Sequence, residues 1–256
     1  MTLSERHKTI LDMLRETGRV DVADLSLRLK VSAVTIRKDL DMLEERSLLY
    51  RTHGGAILAD PYIATRKVSE KEKLHTEAKH RIGLKAAGLL SPQDALMIAS
   101  GTTVQAFARC IANMRMTVIT SAMNVAMELI DKPDIEIIQL GGIVRHSSAS
   151  VVSEYAERML DNFACSKLFL GVDGIDPEYG LSTTHLQEAI LNRAMIAAAT
   201  KTVVLADSSK FGRRGFSKIC GMGDIDHVIT DSGTPPKIIE AMQEHGIKVT
   251  VAELGE

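Results

Sequence analysis

No apolar run in this 256-residue chain approaches the roughly 20 residues that a membrane-crossing helix requires, and Met1 to Lys8 contains no apolar signal-like segment. A cytoplasmic protein that avoids the membrane is expected. Cysteine is scarce: Cys110, Cys165 and Cys220 lie far apart in apolar surroundings, which excludes a disulfide framework and suits reduced core residues. Neither these nor the eight scattered histidines have metal-ligand spacing, so no metal and no cofactor are expected. An excess of positive charge is also missing. The net charge is −2, and through Leu58 ten lysines and arginines stand against nine aspartates and glutamates. Affinity for nucleic acid must therefore come from a local arrangement of charge.

What the chain does have is 45% hydrophobic and 25% charged residues, a balance that folds throughout. Its length suits a small module followed by a core-bearing domain of about 180 residues. Three segments near the start form one pattern. Ser4 to Thr17 carries Ile10, Leu11 and Leu14 and stops at Gly18; Val22 to Lys30 carries Val22, Leu25 and Leu29; Ser32 to Leu43 carries Ile36, Leu40 and Leu43. Ser32 can cap the third helix, and its buried stripe turns Val34, Arg37, Lys38 and Asp41 outward with Thr35 and Met42 on a flank. A solvated amphipathic helix in a small bundle would have the same stripe. The order helix, short helix, tight turn, basic helix is that of a helix-turn-helix, and Leu48 to Leu58 reads as two short strands around His53, Gly54 and Gly55, a wing. The candidate DNA-contacting residues are Ser32, Val34, Thr35, Arg37, Lys38, Arg51 and His53.

Residues 59–73 are polar and aperiodic and read as a linker between a module over 1–58 and a domain over 74–256. From Leu74 onward helices alternate with short apolar strands, predicting a mostly parallel sheet covered on both faces. One helix is expected from Ser150 to Asn162. Ligands of such sheets bind at strand C-terminal ends, and polar motifs gather there. Ser100, Gly101, Thr102 and Thr103 follow a strand and open a helix, which makes either an anion site or a plain capped turn. Gly141, Gly142 and Arg145 follow another strand, Asp173 and Asp176 a third, and Lys210 a fourth, while Ser182 and Thr183 stand before a helix. Together these suit a ligand with phosphate at one end, held by Thr102, Thr103, Arg145 and Lys210, and hydroxyls at the other, held by Asp173.

Arg6, Ile10, Leu14 and, after seventeen residues, Ser32, Thr35, Ile36, Arg37, Lys38, Asp39 and Leu40 match the signature of the DeoR family of bacterial transcriptional regulators. The Gly-Thr-Thr, Gly-Gly-x-x-Arg, Gly-Val-Asp-Gly-Ile-Asp and Asp-Ser-Ser-Lys-Phe-Gly stretches between Lys79 and Val251 resemble the sensor domain of the same family. That resemblance implies a winged helix-turn-helix before an α/β domain similar to ribose-5-phosphate isomerase. It also implies a homo-oligomeric repressor, dimer or tetramer, released from double-stranded operator DNA by a phosphorylated sugar. The alternative is an isomerase-type enzyme, since Asp173 and Asp176 could transfer protons. The isomerases add a lysine and a glutamate; between Leu181 and Asn192 the lysine is absent and the glutamate position falls at or near Asn192, with Glu188 close by. Binding without catalysis is expected.

Overall fold

A computed structural model describes residues 2–17, 19–45, 48–52, 54–58 and 68–253. The chain forms two compact units, Met1–Ala64 and Thr65–Glu256.

In the first unit, helices α1 (Leu3–Thr17), α2 (Val22–Leu29) and α3 (Ala33–Glu45) combine with strands β1 (Arg19–Asp21), β2 (Leu49–Thr52) and β3 (Gly55–Leu58). Ile10, Leu14, Leu25, Ile36, Leu40 and Leu43 meet in one core, as their helical spacing requires. The α2–α3 turn is tight because Lys30 takes a left-handed conformation and Ser26 Oγ donates to the Val31 carbonyl at 2.6 Å. Ser32 Oγ then accepts the Thr35 N–H at 3.1 Å and caps α3. Arg19 to Asp21, which the sequence presents as a mere connection, is a strand: β1 pairs antiparallel with β3, giving the order β1-β3-β2. Three residues are too few to show a strand period. Gly55 makes the pairing possible, because a Cβ there would lie 2.1 Å from the Val20 carbonyl oxygen.

The second unit runs α4 (Val68–Glu72), α5 (Thr76–Ala87), β4 (Ala95–Ile98), α6 (Thr102–Cys110), β5 (Met116–Thr120), α7 (Met123–Leu129), β6 (Ile135–Gln139), β7 (Ile143–Arg145), β8 (Ser150–Val152), α8 (Glu154–Leu160), β9 (Lys167–Leu170), β10 (Gly174–Asp176) and β11 (Gly180–Thr183). It continues through α9 (Leu186–Ala197), β12 (Thr202–Leu205), β13 (Ser217–Cys220), β14 (His227–Asp231), α10 (Pro236–Glu244) and β15 (Lys248–Ala252). Seven strands form one parallel sheet in the order β15-β14-β12-β9-β4-β5-β6. Along β4, Leu96 and Ile98 enter one hydrophobic cluster while Met97 and Ala99 enter the other, so both faces are buried. The chain starts at β4, builds outward to β6, and returns to lay β9 on the other side of β4. The crevice at the C-terminal ends of β4 and β9 is therefore the topological switch point, where such sheets place their ligands.

Three expectations change. Ser150 to Asn162 is not one helix: β8 pairs antiparallel with β7, and only α8 is helical, capped by Ser153 Oγ on the Ala156 N–H at 3.2 Å. The β-branched Val151 and Val152, followed by a helix-capping serine, favour that division. Parts of the supposed polar loops after β9 form a small antiparallel sheet, β10-β11-β13. Finally, 68–72 of the supposed linker is helix α4, attached to the second unit by the Val68 N–H on the Ser147 carbonyl at 2.8 Å. Of the cysteines, all free, only Cys165 is fully buried. Among the described residues no helix is long and apolar enough to cross a membrane.

Candidate functional site

The outward face of α3 carries Val34, Arg37 and Lys38 in the open, and among the described residues neither cation has an ion pair. Ser32 and Thr35 flank them, but their hydroxyls lie 2.9 Å apart and Ser32 is occupied as a cap. Arg51 is placed beside the helix rather than left free. Its Nη1 donates to Asp41 Oδ1 at 2.7 Å and to the Arg37 carbonyl at 3.1 Å, so Asp41 neutralises it. Of the four expected basic positions, Arg37 and Lys38 present charge that is unpaired among the described residues; His53 lies outside them. On the inward side, Asp39 is only 1% exposed and takes hydrogen bonds from Arg6 and His7 of α1. The Arg6 guanidinium thus clamps α1 to α3 and fixes the angle of the exposed face.

A pocket opens at the switch point. Gly101, at φ 132°, starts α6 in a conformation that favours glycine, and Gly171 faces it so closely that a Cβ would lie 2.7 Å from the Ser100 carbonyl oxygen. The two glycines leave room for a ligand beside the first-turn amides of α6. Thr102 and Thr103 line that end, their hydroxyls unpartnered among the described residues. Three cations converge from different elements: Lys71 from α4, Arg145 from β7 and Lys210 after β12.

Two of them are already paired. Lys71 Nζ donates to Asp173 Oδ1 at 2.7 Å, while Thr183 Oγ1 and the Thr184 N–H reach Asp173 Oδ2 at 3.0 and 3.2 Å. Arg145 Nη1 donates to Glu188 Oε2 at 3.0 Å, and Ser100 Oγ to Glu188 Oε1 at 2.7 Å. Burial alone would raise the Asp173 carboxyl, but Lys71, Lys210 and Thr183 outweigh it and hold the group well below the usual carboxylate range. For Lys210 burial dominates and lowers the ammonium, with Asp207 opposing. Its ammonium makes no hydrogen bond among the described residues and is the cation most available to an incoming anion. Lys79, buried beneath, donates to the Lys71 and Leu74 carbonyls and is lowered to about 8, chiefly by burial.

Eight of the eleven expected ligand residues meet here: Ser100, Gly101, Thr102, Thr103, Arg145, Asp173, Thr183 and Lys210. Three do not line the pocket. Ser182 is fully buried, its Oγ accepting the Gly215 N–H at 2.7 Å; Gly141 and Gly142 form an exposed turn packed on Met159 and Ser153. Asp176 is drawn away to Arg214 at 2.6 Å and to the Glu178 and Tyr179 amides, so the Asp173–Asp176 pair does not face the pocket together. Lys71 is not legible in the sequence as a site residue; Asn192 is marked only as the place at or near which the isomerase glutamate falls, and it shares a helix face with Glu188, four residues before it.

A profile of the "DeoR-like helix-turn-helix domain" matches residues 6–62 and one of the "DeoR C terminal sensor domain" matches 74–232. The chain is 38% identical over 249 residues, 96% of this chain and 93% of the relative, to the provisionally named aga operon transcriptional repressor of Escherichia coli O157:H7. Identity is 33% to the HTH-type transcriptional repressor GlcR of Bacillus subtilis, over 100% of this chain and 99% of the relative. It is 30% to the glycerol-3-phosphate regulon repressor of Escherichia coli K12, over 97% and 99%. Among solved structures, ribose 5-phosphate isomerase A of Methanocaldococcus jannaschii aligns over 52% of this chain and 53% of its own, with 17% identity and a TM-score of 0.39, a likeness too partial to bear on function.

Proposed function

The chain belongs to the DeoR family of helix-turn-helix transcriptional regulators, and on that footing we propose that it represses a sugar-catabolism operon and leaves its operator when a sugar phosphate fills the switch-point pocket. The observation that carries this reading is the meeting of the α6 N-terminus, two threonine hydroxyls without a partner among the described residues, and Lys210 in one pocket. Amide donors, the positive helix end and a desolvated ammonium suit a phosphate dianion. Asp173 and Glu188, which also line the pocket, can accept from hydroxyls. The head supplies DNA affinity through Arg37 and Lys38, and two or more heads held by a cytoplasmic homo-oligomer add their small footprints. Catalysis is not part of the reading, because Asp176 is committed to Arg214 and the pocket carboxylates are already ion-paired.

Operator-fragment anisotropy at fixed salt, titrated with a panel of sugar phosphates, tests it. A binding sugar phosphate should release the DNA and, at 100 times its dissociation constant, stabilise the protein by about 2.7 kcal/mol. A panel that neither shifts the melting temperature nor releases the operator refutes the reading; turnover of a bound sugar phosphate would restore the enzyme.

A further inference from the structure

We propose that Asn192 makes this pocket selective for sugar phosphates whose sugar end is uncharged, and that it rejects those carrying an ammonium group. The inference rests on the sugar-phosphate reading above and narrows its ligand class. Asn192 is 4% exposed, lines the pocket one helical turn beyond Glu188 on α9, and its carboxamide has no hydrogen-bond partner among the described residues. Its amide atoms are not among the fully buried polar atoms left without a partner, so they keep accessible surface in the pocket and are presented to whatever fills it. A carboxamide offers two donors and an acceptor without charge, which matches a hydroxyl or an amide.

The remaining charges decide against an ammonium. Both carboxylates in the pocket are spoken for, Asp173 by Lys71 and Glu188 by Arg145 and Ser100. Lys210 adds a third positive group. An amino sugar would have to break one of these pairs or sit unpaired among like charges, and Asn192 cannot neutralise it.

Calorimetry on the full-length protein tests this with orthophosphate, glucose 6-phosphate, galactose 6-phosphate and their 2-amino counterparts, glucosamine 6-phosphate and galactosamine 6-phosphate. The wild type should bind at least one neutral hexose phosphate at least tenfold more tightly than its amino counterpart. Asn192→Asp, nearly isosteric, should shift that ratio toward the amino sugar by tenfold or more. Asn192→Leu should weaken the neutral sugar without favouring the amino one, and both variants should keep the wild-type unliganded melting profile in scanning calorimetry, which confirms their fold. Equal or tighter binding of the amino counterpart by the wild type overturns the proposal even if neither variant folds, as does a ratio unmoved in both variants. Binding of orthophosphate alone also overturns it, leaving the phosphate site intact. Absence of binding by every probe, orthophosphate included, instead removes the phosphate reading on which it rests.

Discussion

Asp39→Asn should loosen the DNA-binding head selectively. The Asp39 carboxylate is 1% exposed and is held by Arg6, whose side chain is 12% exposed, and by His7. Removing the negative charge leaves a guanidinium largely out of water without its counter-ion, and breaking such a pair costs about 3–5 kcal/mol. A domain of about 60 residues has only about 3–9 kcal/mol of stability at the usual 0.05–0.15 kcal/mol per residue. The substitution therefore consumes a third or more of it. Hydrogen exchange on the full chain reads the result: amides of α1 and α3 should exchange about 10²- to 10⁴-fold faster, with α5 and β4 unchanged. The same clamp gives a pH signature. Burial pushes the Asp39 carboxyl up, but the Arg6 and His7 contacts more than offset it, so the folded group titrates below its unfolded value of about 3.9. Its stabilisation is complete above that pH and is lost as acid takes the pH down through the folded value. Wild-type exchange in the head of Asp39→Asn would refute the argument and make the pair a surface contact of little worth.

Arg37→Ala, by contrast, should leave exchange in the head unchanged and weaken operator binding, by about 1–3 kcal/mol at one base pair if it reads a guanine, or uniformly across sequences if it touches phosphate; unchanged affinity in a gel-shift titration removes Arg37 from the interface. Thr103→Glu puts a carboxylate beside the α6 amides where the phosphate is expected, so the variant should bind operator normally and ignore every sugar phosphate; wild-type calorimetric affinity would move the site elsewhere. A fragment 65–256 should melt several degrees above one beginning at residue 74, because the shorter one loses the Lys71 contact to Asp173 and strips Lys79 of the Lys71 carbonyl, hydrogen bonds to charged groups each worth about 1.5–3 kcal/mol. Equal melting temperatures in scanning calorimetry would show α4 to be energetically idle.

The local parts of this protein are written in its sequence. Ile36, Leu40 and Leu43 set the buried side of α3 and Ser32 its start, and the alternation of apolar strands with helices sets a parallel sheet, because periodicity and capping act over one or two turns of chain. The glycine and threonine residues after β4 are legible for the same reason. Strands β1, β7 and β8 are not, since a three-residue strand exists only through its partner. The site depends still more on distance: Lys71 reaches Asp173 102 residues away, Ser100 reaches Glu188 88 residues away, and Arg6 reaches Asp39 33 residues away. Nothing near Lys71 marks it as facing a ligand, and Asn192 stands out only by its spacing in the isomerase pattern. Sequence determined which residues could be buried, capped or charged; the order of strands around β4 and β9 decided which of those charges would meet, because electrostatic pairing depends on separation in space and burial rather than along the chain.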